Sequence, residues 1–278
     1  MISKYYANLA NNKQTHYRRS GAGKPVVLLH ASPMSSALMV PMITALEHFA
    51  DVIAPDTPGY GQSDTLDPKQ LSDADDLSPY VSWLLEFIES LGLEKIALYG
   101  TATGAQIAIE FARTHPDKLE FVILDSSVHF SELEKQEIVS GYFPDVSPQQ
   151  DGSHLQTIWN MSRGVFQWFP WYAQNEEHRV ATNEPTAEAV HAMALAYLQA
   201  GSDYSQAYRR AFNNEDATRV ADITIPVRVI RWAGGMLKAY SDRYDDFSWP
   251  DNVQMCHCGS AIEQRYQAIA DVIIEFND

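Results

Sequence analysis

Cysteine is almost absent from this chain, which has 278 residues and only two thiols, Cys256 and Cys258. The two cysteines flank His257, and a Cys-His-Cys triplet raises the question of a metal site. On a strand, however, both cysteines share one face, and no further cysteine completes a four-ligand site. We therefore expect no metal, and two reduced structural thiols in a cytoplasmic protein.

Long apolar runs and excess positive charge are also missing. No apolar run reaches the roughly 18 residues of a membrane span, and the N-terminal segment lacks the apolar core of a secretory signal. The 36 acidic residues outnumber the 20 basic ones, for a net charge of −16, so nucleic acid is not expected as a partner. Neither a Gly-x-Gly-x-x-Gly fingerprint nor a P-loop occurs, and no cofactor is implied.

Short apolar runs alternate with helical patterns through most of the chain, apart from an N-terminal hairpin over residues 4–19. Continuous apolar runs are typical of strands buried on both faces of a parallel sheet. The sequence predicts strands at 25–30, 51–55, 95–99, 121–125, 226–232 and 252–256, and helices at 39–49, 73–91, 105–114 and 261–276. This alternation predicts a doubly wound α/β fold with a mostly parallel sheet of about eight strands.

Residues 127–221 interrupt that alternation. The stretch is helical in pattern, rich in aromatic residues and without strand signals for about ninety residues. We therefore predict an α/β core formed by residues 1–126 and 222–278, with residues 127–221 inserted as a helical lid.

Three motifs coincide with the predicted elements. His30-Ala31-Ser32-Pro33 follows one strand, Asp56-Thr-Pro-Gly-Tyr-Gly-Gln-Ser63 follows the next, and Gly100-Thr-Ala-Thr-Gly104 joins a strand to a helix. In this order and setting the motifs resemble those of the α/β-hydrolase superfamily, over nearly the whole chain. In that family the first motif is usually His-Gly-x-Pro, and the third is Gly-x-Ser-x-Gly, the nucleophile elbow.

The resemblance implies a strained turn whose central residue is Ala102. Gly100 and Gly104 would leave room for that turn. The backbone N–H of Thr103, with an N–H from Ala31 or Ser32, would form an oxyanion hole. Ala102 has no heteroatom, so the chain as written cannot form an acyl-enzyme at the nucleophile position.

Two readings of Ala102 stay open. Either Ala102 replaces a reactive residue, or the natural protein works without a nucleophile at the centre of the elbow. Thr103 as a substitute nucleophile is a less favoured alternative. Some members of the superfamily carry Gly-x-His-Thr-Gly at the elbow, and Thr103-Gly104 and the Ala200–Tyr204 stretch resemble that branch. By that resemblance the residue displaced from position 102 is histidine, acting as base or covalent catalyst.

The remaining catalytic positions are assigned from the same resemblance. His257, at the end of the last predicted strand, fits the catalytic base, and His30 is expected to brace the first motif through hydrogen bonds. The turn after the penultimate strand, Trp-Ala-Gly-Gly-Met, carries no carboxylate. Asp125 is the first choice for the acid, although the family's acid falls one residue later and a one-residue slip reverses the side chain; Asp242 and Asp245 are the alternatives.

The aromatic residues of the insertion suggest an apolar pocket for an aromatic or acyl substrate. Aromatic stripes at helical spacing also form packing cores, which is the plainer interpretation. The residues predicted to bind substrate are Trp159, Trp168, Trp171 and Tyr204. A small-molecule substrate is the partner implied, and a homodimer is left open.

Three functions are compatible with these observations. The first is a hydrolase of an ester or carbon–carbon bond, with the elbow residue present as alanine. The second is a decarboxylase, lyase or cyclase that has no nucleophile and uses the oxyanion hole with His257. The third is a protein that binds a small ligand without turnover. The sequence favours the first, and the step from fold to function rests on analogy.

Overall fold

The computed structural model describes residues 1–69, 71 and 76–277. Its centre is an eight-stranded sheet with strand order β1-β2-β4-β3-β5-β6-β7-β8. The strands are β1 (Ser3–Asn8), β2 (Gln14–Gly21), β3 (Pro25–Leu29), β4 (Asp51–Pro55), β5 (Ile96–Thr101), β6 (Leu119–Asp125), β7 (Val227–Trp232) and β8 (Val253–Cys258). β2 pairs antiparallel with β1 and with β4, and the other pairings are parallel. The predicted fold class is confirmed.

Helices flank this sheet and fill the long segment between β6 and β7. The α-helices of the described ranges are α1 (Val40–Leu46), α2 (Ser78–Ser90), α3 (Thr103–Thr114), α4 (Glu132–Tyr142), α5 (Ser153–Gly164), α6 (Ala187–Ala200), α7 (Ser205–Asn214), α8 (Lys238–Ser241) and α9 (Ile262–Asn277). The predicted start of α2, at Asp73, lies outside the described residues. None of these helices, as far as they are described, is long and apolar enough to cross a bilayer.

The central strands are apolar on consecutive residues because both faces of the sheet are covered. On β3, Val27 and Leu29 pack into the cluster under α2 and α3, whereas Val26 and Leu28 pack into the cluster under α1 and α9. All four side chains are fully buried. Two-sided burial is the physical reason why the strand reads as a continuous apolar run.

The predicted N-terminal hairpin is present. β1 and β2 pair from Ser3 with Arg19 to Asn8 with Gln14, and a short 3-10 turn at Ala10–Asn12 connects them. Asn12 adopts a φ of 58°, a left-handed conformation that asparagine tolerates better than most residues.

Between β6 and β7 the chain forms α4 to α7 and makes one isolated bridge, between Trp168 and Arg179. A third apolar cluster lies here, with Phe130, Phe169 and Phe212 among its buried members. The segment is thus helical, as the sequence pattern indicates. Its interpretation as a lid stays a prediction.

Helix α4 is tied to the loop after α8. Ser131 caps α4 by accepting a hydrogen bond from the backbone of Glu134, and the Glu134 carboxylate accepts one from the Ser131 N–H. Both terminal nitrogens of Arg243 also donate to this carboxylate, at 2.7 Å each. These bonds, with the Arg243 pair as the strongest, lower the pKa of Glu134 to about 2.

This lowered pKa predicts an acid-dependent stability. A carboxyl whose pKa is lower in the folded than in the unfolded state stabilises the protein above its unfolded pKa and loses that effect as the pH falls through its folded pKa. Because the pair is partly exposed, we expect Glu134→Gln to cost about 1 kcal/mol of unfolding free energy at pH 7. The cost should shrink below about pH 5 and vanish near pH 2. Urea unfolding at several pH values measures this cost in unfolding free energy. Glu137→Gln, on the exposed side of α4, is the control. An equal pH-dependent loss in both variants would contradict the assignment of the effect to the pair of Glu134 with Arg243.

Candidate functional site

A cavity of about 240 Å³ lies at the carboxyl ends of the parallel strands β3, β5 and β6, beneath the helical segment. Ligands of α/β folds bind in crevices at this edge of the sheet. The core contributes residues of the first and third motifs and of the strand ends, and the helical segment contributes an aromatic wall. At ~30 Å³ per water molecule the volume corresponds to roughly eight waters, which suits a ligand built around one substituted ring or a short acyl chain.

The turn from β5 into α3 has the geometry that its two glycines allow. A Cβ on Gly100 would lie 2.2 Å from the carbonyl oxygen of Gly104, and one on Gly104 would lie 2.4 Å from that of Leu29. Between them Ala102 has φ 48° and ψ −115° and lines the cavity. A positive φ at a residue with a side chain costs of the order of 1 kcal/mol or more, and no side-chain interaction of alanine offsets it.

The first motif lies beside this turn. Ala31, Ser32 and Thr103 all line the cavity, and the Ser32 N–H points at Thr103 Oγ1 across 3.4 Å. His30 braces the motif as predicted, because its Nε2 accepts from the Thr57 N–H at 2.9 Å while Nδ1 donates to the Ala31 carbonyl at 3.0 Å. Burial lowers the pKa of His30 and keeps the ring neutral.

Asp125 reaches the cavity wall, but its carboxylate is committed elsewhere. Oδ2 accepts from the Tyr99 hydroxyl at 2.7 Å and from Nε of Arg265, on α9, at 2.7 Å. Asp125 is almost completely buried. Its partner is therefore Arg265, and the structure does not bring it together with His257.

His257 lies away from the cavity. β8 continues to Cys258, two residues beyond its predicted end, so His257 lies within an edge strand and not on the loop after it. Cys256 and Cys258 pack against the cluster under α1 and α9. His257 shares the opposite face of β8 with Val253 and Met255, which pack into the cluster under α2 and α3, but His257 itself is exposed. The assignment of His257 as a base above Ala102 is not supported, and among the described residues no histidine lines the cavity.

The two alternative acids are also used elsewhere. Asp242 and Asp245 accept hydrogen bonds from the buried Arg231 on β7, at 2.8 and 2.7 Å, and Asp242 also pairs with Lys238. They bind the loop after β7 to the sheet. Within the described ranges, no group of three metal-ligating side chains comes together.

The aromatic wall is real, but its members are not the ones the sequence predicts. Trp159 is 40% exposed on α5, Trp168 stacks with Arg179, Trp171 donates to the Tyr142 carbonyl, and Tyr204 donates to that of Pro144. None of these four lines the cavity, and their role in substrate binding stays a prediction. The residues that form the wall are Phe130, Tyr142, Phe166, Phe169, Tyr197, Tyr208 and Phe212.

Sequence reasoning missed Glu215, a titratable residue that follows α7 and lines the cavity. Gln106 Nε2 donates to Glu215 Oε2 at 2.5 Å, and the Val128 N–H donates to the same oxygen at 3.2 Å. Complete burial raises the pKa of Glu215 well above its ordinary range. In the sequence it is one acidic residue in a polar turn, and nothing in the pattern marks it as buried.

The model of the alpha/beta hydrolase fold family matches residues 24–217. The chain belongs to this family. Its likeness to solved structures of the family extends over the whole fold: epoxide hydrolase A from Mycobacterium thermoresistibile is 20% identical and superposes with a TM-score of 0.69, covering 99% of this chain and 98% of that one. At such identity the likeness shows the fold alone.

The relatives that match this α/β-hydrolase-fold chain in sequence include hydrolases and a haloalkane dehalogenase. A stretch of 129 residues is 34% identical to (E)-2-((N-methylformamido)methylene)succinate hydrolase of Acinetobacter baylyi, covering 46% of this chain and 47% of the relative. A stretch of 110 residues is 34% identical to a haloalkane dehalogenase of Psychrobacter cryohalolentis, covering 38% and 35%. The matched stretches thus span half or less of these relatives.

Proposed function

We propose that the cavity is a hydrolase site for a small, largely apolar ester or related carbonyl compound, and that the chain with Ala102 binds this substrate without a covalent step. The observation that carries the proposal is the backbone of Ala102. A strained turn is costly for a residue with no functional group, yet it presents position 102 to the cavity beside Thr103 and Ser32. The hydrolase relatives support the reaction class.

In this proposal the N–H groups of Thr103 and Ser32 receive the substrate's carbonyl oxygen, and the aromatic wall receives its apolar part. As a carbonyl is attacked, negative charge develops on that oxygen, and fixed N–H donors stabilise it. The dipole of α3, which begins at Thr103, favours the same charge. The helical segment acts as the lid that keeps water from the cavity.

The absence of a cavity-lining histidine among the described residues bears on which side chain completes the site. A serine at position 102 would have no adjacent base, and an unactivated hydroxyl is a poor nucleophile at pH 7. A histidine there needs no partner, because neutral imidazole accepts a proton from water or attacks the carbonyl itself. We therefore infer that histidine suits this turn better than serine.

The experiment compares the unaltered chain with Ala102→His and Ala102→Ser on 4-nitrophenyl acetate and butanoate. Ala102→His is expected to raise kcat/KM by about a hundredfold, the usual scale of a positioned base, and Ala102→Ser by about tenfold or less. Ala192→His, exposed on α6, controls for esterase activity of any surface imidazole.

Other results would favour an enzyme without a nucleophile or a protein that only binds its ligand. If neither variant exceeds the control, position 102 is not the reacting position and the hydrolase proposal is wrong. Turnover by the unaltered chain would then indicate an enzyme without a nucleophile. Tight binding of the esters with no turnover by any variant would indicate a binding protein.

A further inference from the structure

The cavity contains a second polar feature that the hydrolase proposal does not use, the carboxyl of Glu215. It lies where the chain leaves α7 and is 6% exposed. Gln106, which bonds to it, lies on α3 one turn beyond Thr103, and Glu215 and Thr103 line the same cavity.

The hydrogen bonds around this carboxyl have a defined direction. Asn214 Nδ2 donates to Gln106 Oε1 at 3.0 Å, so the Gln106 amide must present its Nε2 to Glu215. The Val128 N–H donates to the same oxygen. Both bonds end on Oε2, and among the described residues no protein group bonds to Oε1, which leaves Oε1 as the oxygen that can meet a ligand in the cavity.

The protonation state follows from the surroundings. Burial raises the pKa of this carboxyl, opposed by the Val128 N–H and by the charge of Lys135 on α4. The other titratable groups nearby are Tyr244, through the Ser127 hydroxyl, and the neighbouring Asp216, which pairs with His129 at 3.6 Å. Since Oε2 receives two N–H donors, the proton of a neutral carboxyl belongs on Oε1 and is available to a ligand.

We propose that Glu215 is a specificity-determining residue that donates a hydrogen bond from Oε1 to a second, uncharged oxygen of the substrate. The substrate class is then an uncharged compound with two acceptor oxygens, one for the oxyanion site and one for Glu215, joined to an aromatic or aliphatic group. This inference rests on the proposed function and adds the second oxygen to it.

The test uses two esters that differ by one oxygen, methyl 4-oxo-4-phenylbutanoate and methyl 4-phenylbutanoate. Their affinities for the unaltered chain are measured by titration calorimetry. The keto ester is expected to bind about tenfold more tightly at neutral pH, the scale of one well-made hydrogen bond. The preference should decrease as the pH is raised from about 6 to about 10, because an ionised carboxylate repels a carbonyl oxygen.

Glu215→Gln is the decisive variant. Glutamine keeps the shape, accepts the same two bonds and offers an N–H donor that does not titrate, so the keto ester should stay preferred at every pH. Lys135, His129, Asp216 and Tyr244 are unchanged in this variant, so any pH dependence that comes from them appears in both proteins. Glu215→Leu should abolish the preference; if it fails to fold, the two pH profiles still decide.

Equal affinity for the two esters, or a preference whose pH profile is the same with glutamate and glutamine, would overturn the role of Glu215. The proposed function would survive that result if Ala102→His still gained activity. If neither ester binds, this inference fails, and the proposed function fails with it only if Ala102→His also gains no activity over its control.

Discussion

Replacing Gly104 with alanine is expected to lower the free energy of unfolding by about 3 kcal/mol or more. The added Cβ would lie 2.4 Å from the carbonyl oxygen and 2.8 Å from the Cβ of Leu29. The obstacle is largely backbone of a central strand paired on both sides, which cannot move aside as a flexible side chain would. The better helix propensity of alanine returns only about 1 kcal/mol. Urea unfolding of the variant measures the loss.

Gly92→Ala is the matched control. Gly92 has a φ of 69° but no atom within 4 Å of its would-be Cβ, so alanine there meets backbone strain without a clash. We expect a loss of about 1 kcal/mol. Equal losses of unfolding free energy in the two variants would mean that the close approach of α3 to β3 does not exclude a Cβ at position 104.

Replacing Arg265 with methionine is expected to cost about 3–5 kcal/mol, because it leaves the buried Asp125 carboxylate without its counter-charge. Arg265 Nε donates to Asp125 at 2.7 Å, and its guanidinium stacks over Trp232 at 4.9 Å. Burial, together with the negative charge of Asp125, raises the pKa of the Tyr99 hydroxyl that completes this group, so the tyrosine stays a neutral donor. Thermal or urea unfolding measures the cost.

A second substitution separates lost charge from lost packing. Asp125→Asn added to Arg265→Met removes the orphaned charge and should recover part of the stability, whereas Asp125→Asn alone should destabilise. Arg163→Met breaks an exposed ion pair with Glu184 and serves as the surface control, with little expected change. Additive effects of the two buried substitutions would show that Asp125 and Arg265 do not act as a pair.

Much of the fold could be predicted because each central element carries a local signal. The strands buried on both faces are continuous apolar runs such as residues 25–29. The turn around Ala102 requires residues without a side chain at Gly100 and Gly104, two positions before and after it. These are short-range constraints, and a single sequence displays them directly.

The site was less predictable, because its composition depends on which way each side chain turns. His257 lies within a strand that is two residues longer than expected and is exposed there, and Trp159 is exposed on α5. Glu215 shows the converse: a charged residue in a polar turn is normally solvated, and only tertiary contacts with Gln106 and Val128 bury it. Amino-acid type and spacing do not encode these orientations.

The helical segment departs from the carboxyl end of β6 and rejoins at the amino end of β7, and these two strands are parallel neighbours. It is therefore an enlarged crossover connection. The length of such a connection is free to vary, because the pairing of the strands sets the register of the sheet. Doubling such a connection costs only about 0.6 kcal/mol in closure entropy. Insertions, deletions and exchanges should consequently be tolerated here more readily than elsewhere, so a new ligand preference can evolve through this one connection while the sheet beneath it stays the same.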